Sequence, residues 1–150
     1  MLGFKSSSAT SDSNVLLRDV GVSAMNKQHI QLAGYTVEFH QIVEELKERE
    51  ATMEDWRHID SVFSRIMKLA VKHFSEEETM MEENNFTDID NHKQLHAKFI
   101  EQMGKFQNEI NGRNLKYVEK LSGVLWDWLY KHINEEDYSY RDFFISKGLS

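Results

Sequence analysis

The strongest constraint on the fold is a repeating pattern in four segments of the chain. In each segment, core-type residues recur at alternating steps of three and four, which keeps them on one face of an α-helix. The segments run from Met25 to Leu46, from Ile59 to Met80, from Ile89 to Ile110 and from Val118 to His132. The 150 residues include no proline, so proline breaks none of these helices. We therefore predict an all-α fold, an up-down-up-down antiparallel four-helix bundle with an N-terminal arm.

Polar breaks separate the four segments. The string Thr52-Met53-Glu54-Asp55 is an acidic variant of the capping box and predicts the start of the second helix. Polar residues also interrupt the pattern at 84–88 and at 111–114. Because these connections are short, consecutive helices should be antiparallel neighbours. Residues 1–14 are rich in serine, lack a hydrophobic period and are predicted to form a flexible tail, which leaves 15–150 for the bundle.

Composition and charge exclude several classes of site and partner. The chain has no cysteine, which excludes disulfides, cysteine-based zinc sites and iron–sulfur clusters. Its net charge of −7 argues against nucleic acid as a main partner, because there is no basic stripe to replace phosphate counterions. We see no signal-peptide pattern and no apolar stretch long enough to span a membrane. We expect a cytoplasmic protein that is a monomer.

Six polar residues occupy positions in the repeating pattern that should be apolar. Burying one polar group without a partner costs about 1–3 kcal/mol, and a carboxylate costs more. A domain of ordinary stability, about 5–15 kcal/mol, could not tolerate six of them. They must therefore satisfy one another or share a bound partner, and a metal ion suits groups that are mostly acceptors. These six residues are His29, His73, Glu77, His92, His96 and His132.

The topology of the predicted bundle brings these six residues to one end. His29 lies near the start of the first helix and His132 near the end of the fourth, and the other four flank the connection between the second and third helices. His73 with Glu77, and His92 with His96, are i, i+4 pairs that point to a common side of their helices. The sequence therefore predicts one layer of metal-binding side chains.

The spacing leaves the last carboxylate ligand open among Glu135, Glu136 and Asp137. Asp137 lies five residues after His132, about 140° away on a straight helix. It could join the site only through a π-type turn or a distorted helix end. The remaining histidines, His40 and His58, lie about 16 Å and about 22 Å along the axis from the layer. We interpret them as ordinary part-buried histidines rather than a second metal site.

Four strings in this order are similar to the hemerythrin family, in particular to its bacterial single-domain members. They are Gln28-His29, His73 to Glu77, His92 to His96 and Trp128 to Asp137. The resemblance covers about residues 15 to 140. It implies reversible dioxygen binding, for oxygen storage, transport or delivery, at a non-heme di-iron centre bridged by oxo or hydroxo. It also implies that the protein is not an enzyme.

The resemblance further implies a distribution of ligands. One iron takes His92, His96 and His132, the other takes His29 and His73, and Glu77 and Asp137 bridge both irons. Dioxygen would bind at the iron with two histidines, which has the open position. An apolar oxygen pocket is implied around Leu32, Phe74, Trp128, Leu129 and Ile133.

Two positions depart from the family pattern, and alternatives remain. Asn26 stands where the family usually has aspartate, and Leu16-Leu17-Arg18 stand where many bacterial members carry a tryptophan. The alternative function is an oxygen or redox sensor that acts through a separate partner protein. A metal-stabilised scaffold without oxygen chemistry, a zinc or manganese site, and a metal-free histidine core are further alternatives.

Overall fold

The four predicted helices form a closed ring in the computed structural model, which describes residues 17–149. The helices are α1 (Ser23–Glu45), α2 (Met53–Glu83), α3 (Ile89–Asn111) and α4 (Leu115–Lys131). Each helix contacts the next along the chain, and α1 also contacts α4. This arrangement confirms the up-down-up-down bundle. The tail predicted for 1–14 lies outside the described residues.

The chain leaves α4 without an abrupt turn. A π-helix (His132–Asp137) continues α4, and a 3-10 turn (Tyr138–Tyr140) and a short helix, α5 (Arg141–Ser146), follow it. Tyr140 and Phe144 are fully buried and pack against each other with ring centroids 5.0 Å apart. The segment after α4 therefore closes the end of the bundle where the polar layer was predicted.

Most of the predicted core faces are confirmed. All seven pattern positions from Met25 to Leu46 are buried. Met80, predicted as a core residue, is only half-buried and packs at the margin of the core, whereas Met81 is fully buried. A straight helix drifts by about 20° per heptad from a strict seven-residue repeat. Over the 31 residues of α2, a final step of four therefore follows the core better than a step of three. Ile89 and Trp128 also lie at the margin of the core.

The start of α2 carries the predicted capping box. The Thr52 hydroxyl accepts a hydrogen bond from the Asp55 backbone N–H at 3.2 Å, and the Asp55 carboxylate accepts from the Thr52 N–H at 2.7 Å. Arg49 donates two hydrogen bonds to the same carboxylate, at 2.6 and 2.9 Å. These contacts satisfy backbone donors that the first turn of a helix leaves free.

Replacing Thr52 with alanine is expected to destabilise the fold by about 1 kcal/mol, because the N3 backbone donor loses its acceptor. Urea denaturation followed by circular dichroism measures the effect. Thr79→Ala is the matched control, since Thr79 lies exposed inside α2 and alanine is the better helix former there. Equal midpoints for the Thr52 variant and the unsubstituted protein would contradict a role of this cap in stability.

The N-terminal arm packs along the bundle beside the π-helix. Leu17, Val20 and Val22 are buried, and the Arg18 backbone N–H donates to the Asn134 side-chain oxygen at 2.8 Å. Asn26 accepts from the Val20 N–H at 3.0 Å and donates to the Asp19 carboxylate at 2.8 Å. The residue that departs from the family pattern therefore fastens the arm to the start of α1. Within residues 17–149, none of the helices is long and apolar enough to cross a membrane.

Candidate metal centre

The six predicted polar residues and Asp137 lie in one buried layer near the end of the bundle. Each of the seven is at most 2% exposed. His29 comes from α1, His73 and Glu77 come from α2, His92 and His96 come from α3, and the other two belong to the π-helix. The convergence predicted from the topology is therefore present in the structure.

The ligand atoms form two groups that share both carboxylates. Within each group, one atom per residue lies within 4.8 Å of every other. The first group joins His29 and His73 with Glu77 and Asp137, and the second joins His96 and His132 with the same two carboxylates. Two shared carboxylates between two sets of imidazoles could hold two metal ions side by side.

The shortest contacts run between imidazole nitrogens and carboxylate oxygens. The Asp137 Oδ2 atom lies 3.0 Å from His29 Nε2 and 3.1 Å from His132 Nε2. The Glu77 Oε1 atom lies 3.0 Å from His96 Nε2, and Glu77 Oε2 lies 3.4 Å from His73 Nε2. Each carboxylate therefore reaches both groups of histidines.

His92 lies at the edge of the layer. Its Nε2 atom is 3.5 Å from Asp137 Oδ1 but is also within 2.9 Å of the Glu136 backbone oxygen, to which it can donate. The structure accordingly includes His92 in neither group of converging ligand atoms. Of the seven predicted ligands, six converge and His92 remains beside them.

The π-helix distinguishes among the three candidate carboxylates that the spacing left open. In this i→i+5 turn, Asp137 is fully buried in the layer, Glu136 is half-buried and Glu135 is exposed. A regular α-helix would turn Asp137 about 140° from His132. The irregular turn brings the two residues to the same face, as the sequence reasoning required for Asp137 to join the site.

Several buried polar atoms in the layer lack a hydrogen-bond partner among the described residues. His96 Nε2 and Glu77 Oε1 are only 3.0 Å apart, yet their geometry is not that of a hydrogen bond. His132 Nε2 and Asp137 Oδ1 are also without a hydrogen bond. Unsatisfied buried acceptors are costly, and a metal ion would satisfy them. The donor set of imidazoles and carboxylates fits iron, as it also fits zinc.

Hydrogen-bond acceptors at the outer nitrogen orient three of the imidazoles. His73 Nδ1 lies 2.7 Å from Gln28 Oε1, and His96 Nδ1 lies 2.7 Å from Glu78 Oε2. His132 Nδ1 lies 3.2 Å from Glu136 Oε1. An acceptor at Nδ1 places the ring proton there and leaves the Nε2 lone pair directed at the centre, as metal ligation requires.

Sequence reasoning missed most of these outer partners. Acidic runs such as 76–78 and 135–137 usually form solvated faces, yet Glu78 and Glu136 each contact a histidine. The i, i+4 spacing of His132 and Glu136 could have indicated the second contact. Tyr140, whose hydroxyl donates to Glu77 Oε2 at 2.9 Å, carries no such local signal.

The pKa values of the histidines and carboxylates indicate how charge is balanced in the layer when no metal ion is bound. Burial by itself lowers the pKa of His73 and of His132, but the Glu77 and Asp137 carboxylates outweigh it and raise these pKa values to about 9 and about 10. Burial lowers the pKa of His29. Although burial opposes ionisation of Asp137, His132 and the neighbouring imidazoles hold its pKa well below the usual range. Protons therefore balance the carboxylates, and a metal ion would replace those protons.

Aromatic rings cover one side of the layer. Phe74 stacks on the His96 ring with centroids 4.0 Å apart, and Trp128 stacks on His132 at 4.6 Å. His96 and His132 belong to one ligand group, and His29 and His73 belong to the other. The resemblance assigns the open position to the iron held by His29 and His73. Three other predicted pocket residues, Leu32, Leu129 and Ile133, are buried.

His40 and His58 contact separate partners away from the layer. His40 is half-buried, and its Nδ1 atom lies 3.0 Å from the Ser122 hydroxyl on α4. His58 is exposed rather than part-buried, and its Nε2 atom lies 3.2 Å from Glu38. Neither histidine belongs to the metal-binding groups found among residues 17–149.

Comparison with known protein families agrees with this geometry. Residues 20–142 match the model of the hemerythrin HHE cation-binding domain. The chain belongs to the hemerythrin family. Hemerythrins bind dioxygen at a non-heme di-iron centre, and the buried histidine–carboxylate groups described above are of the kind that such a centre uses.

Individual hemerythrins are similar at a moderate level. A bacteriohemerythrin from Pseudomonas aeruginosa is 26% identical over 124 residues, which cover 83% of this chain and 75% of that protein. A myohemerythrin from Theromyzon tessulatum is 30% identical over 77 residues, 51% of this chain and 58% of that protein. The hemerythrin alpha subunit of Lingula anatina is 31% identical over 71 residues, 47% and 55% of the two chains. The matches to the latter two span less than two thirds of those proteins.

Proposed function

We propose that this chain holds two iron ions in the buried layer and binds dioxygen there reversibly. The observation that carries the proposal is the pair of ligand groups that share Glu77 and Asp137. His29 and His73 would serve one ion, and His96 and His132 would serve the other. His92 would join the second set once its Nε2 atom gives up the contact with the Glu136 carbonyl.

The chain's own residues orient and enclose the ions. When bound, the iron pair supplies the reversible electron transfer to dioxygen. Gln28, Glu78 and Glu136 hold three imidazole rings through Nδ1, and the Tyr140 hydroxyl orients Glu77. The pKa of Tyr140 is raised by burial and by Glu77, so its hydroxyl stays protonated as a donor.

The apolar residues keep water away from the proposed centre. Phe74 and Trp128 cover the imidazoles of His96 and His132, and we propose Leu32, Leu129 and Ile133 as further lining of the oxygen pocket. Excluding water and anions suppresses side reactions at a reactive metal, so this wall favours release of dioxygen over irreversible oxidation.

The composition of the ligand set favours a binding protein over an enzyme. Ferritin-like di-iron proteins use Glu-x-x-His motifs and a carboxylate-rich set of ligands. This chain contains no Glu-x-x-His, and imidazoles outnumber carboxylates among the proposed ligands. We infer a role in storage, transport or delivery of oxygen, with sensing through a separate partner protein as the alternative. The cytoplasmic location and the monomeric state stay predictions.

An optical experiment tests the proposed function. Metal-free protein is loaded with ferrous iron under anaerobic conditions and then exposed to dioxygen. A carrier is expected to gain a visible charge-transfer band that disappears under vacuum and returns over repeated cycles. Immediate oxidation without a stable oxygenated form would contradict storage and favour sensing. Failure to take up iron would contradict the di-iron proposal and favour a scaffold role.

A further inference from the structure

The two ligand groups of the candidate centre, called its two halves from here on, share Glu77 and Asp137. They differ in the hydrogen-bond acceptors at the outer nitrogen, Nδ1, of their histidines. His96 and His132 each have a carboxylate at Nδ1, from Glu78 at 2.7 Å and from Glu136 at 3.2 Å. His73 instead has the amide oxygen of Gln28 at 2.7 Å. The Nδ1 atom of His29 has no hydrogen-bond partner among the described residues. Charged acceptors therefore serve only one half.

Contacts at both the nitrogen and the oxygen of the Gln28 side-chain amide determine its orientation. Its Nε2 atom donates to Glu76 Oε1 at 2.6 Å, so its oxygen must face the His73 ring. The neutral amide of Gln28 therefore lies between the His73 ring and the Glu76 carboxylate. In the other half, Glu78 and Glu136 contact the rings directly, and their side chains are only 28% and 17% exposed.

This difference acts on metal affinity through the basicity of the imidazole. A carboxylate that accepts the Nδ1 proton raises the electron density at Nε2 more than a neutral amide does. Loss of such an outer partner typically weakens metal binding by about 10–100-fold. The half with His96 and His132 should accordingly bind a divalent ion more tightly, and the His92 ring lies 6.1 Å from the His96 ring of the same half.

We propose that the centre fills in a fixed order, with the first divalent ion entering the half with His96 and His132. Glu78 and Glu136 set this order as positioning residues through their contacts with the ring Nδ1 atoms. Once the first ion shares Glu77 and Asp137, it repels a second ion and withdraws carboxylate charge from the other half, which separates the two steps further. The inference rests on the proposed di-iron function.

Calorimetric titration of the metal-free protein with ferrous iron, under anaerobic conditions, tests this order without any oxygen chemistry. We expect two steps whose affinities differ by at least about tenfold. Glu78→Gln should weaken the first step by about 10–100-fold and leave the second nearly unchanged, because glutamine keeps an acceptor but loses the charge. Glu82→Gln is the matched control, since Glu82 lies one turn further along α2 and contacts Lys93 rather than a ligand.

Two further sets of variants locate the steps. Gln28→Glu combined with Glu76→Gln, which keeps a hydrogen bond between these two side chains, should strengthen the second step, a gain that general destabilisation cannot produce. His29→Ala should remove the second step only, whereas His96→Ala should remove the tight first step. Two equal steps in the unsubstituted protein, or a Glu78→Gln effect confined to the second step, would overturn the order proposed here. Absence of any iron uptake by the unsubstituted protein would instead overturn the di-iron proposal itself.

Discussion

Replacing Asp137 with asparagine is expected to lower the iron content from two ions per chain to one at most. Asp137 Oδ2 lies 3.0 Å from His29 Nε2 and 3.1 Å from His132 Nε2, so this one carboxylate serves both halves of the layer. Asparagine keeps the size of the side chain but removes its charge and one acceptor oxygen. The affinity of the weaker ion should fall by at least about 100-fold. Iron per chain after anaerobic loading and gel filtration measures the loss.

Glu135→Gln is the control for this experiment. It removes the same charge from the same π-helix, but Glu135 is exposed and belongs to neither group of ligand atoms. We expect this variant to retain both ions. If it lost iron while the Asp137 variant kept two ions, the register of the π-helix would be different and the carboxylate ligand would have to be sought among the alternatives that the spacing alone allowed.

The metal-free protein is expected to lose stability as the pH rises from about 6.5 to about 10. The pKa values of His73 and His132 are raised to about 9 and about 10 in the folded chain, from an ordinary value near 6.5. A raised pKa stabilises the fold fully below the unfolded value, and this contribution is lost as the pH passes through the folded value. Each pKa unit corresponds to about 1.4 kcal/mol, so the loss should reach several kcal/mol.

The iron-loaded protein should keep its stability over this pH range, because its metal-bound histidines carry no extra protons to lose. Metal binding displaces the protons on His73 and His132, about two per chain near neutral pH, so iron affinity rises with pH. Thermal unfolding with and without a chelator, between pH 6 and pH 9, measures both curves. We expect the difference in Tm between the two forms to widen as the pH rises. Parallel curves would show that these histidines carry no extra protons in the metal-free fold.

Asp137 and Glu77 affect how the stability of the metal-free protein changes at low pH. The pKa of Asp137 is held well below its usual range by His132, and the pKa of Glu77 is also lowered. A lowered pKa contributes stability above the unfolded value, about 4, and this contribution is lost as the pH falls through the folded value. Because the lowered pKa of His29 also costs stability as the pH falls below about 6.5, the metal-free protein should be most stable at about pH 6.

Local pattern was sufficient for the helices and for most of the buried layer. The steps of three and four, the capping box at Thr52 and the polar connections act over a few residues, so a single segment reveals them. Three predicted core residues, Met80, Ile89 and Trp128, lie at the margin of the core. Next to Met80, Met81 is fully buried, because the helix period and the seven-residue repeat diverge along a long helix. Local pattern also placed His92 on the correct face of its helix. It could not predict that the His92 Nε2 atom lies within hydrogen-bond distance of the Glu136 backbone oxygen.

The sequence by itself determined that four helices carry histidines and a glutamate to one end of a bundle, because helical periodicity and short connections leave no other arrangement. The spacing left the last carboxylate open and the family resemblance implied Asp137. Only the tertiary structure shows that an irregular π-helix buries Asp137, rather than Glu135 or Glu136, in the layer. It also decided which outer groups contact the imidazoles, Glu78 and Glu136 on one half and Gln28 on the other. The Glu78 and Gln28 contacts join different helices and depend on how each helix is rotated about its axis against its neighbours, which packing of the whole core determines. Only the Glu136 contact, four residues from His132, follows from a local spacing.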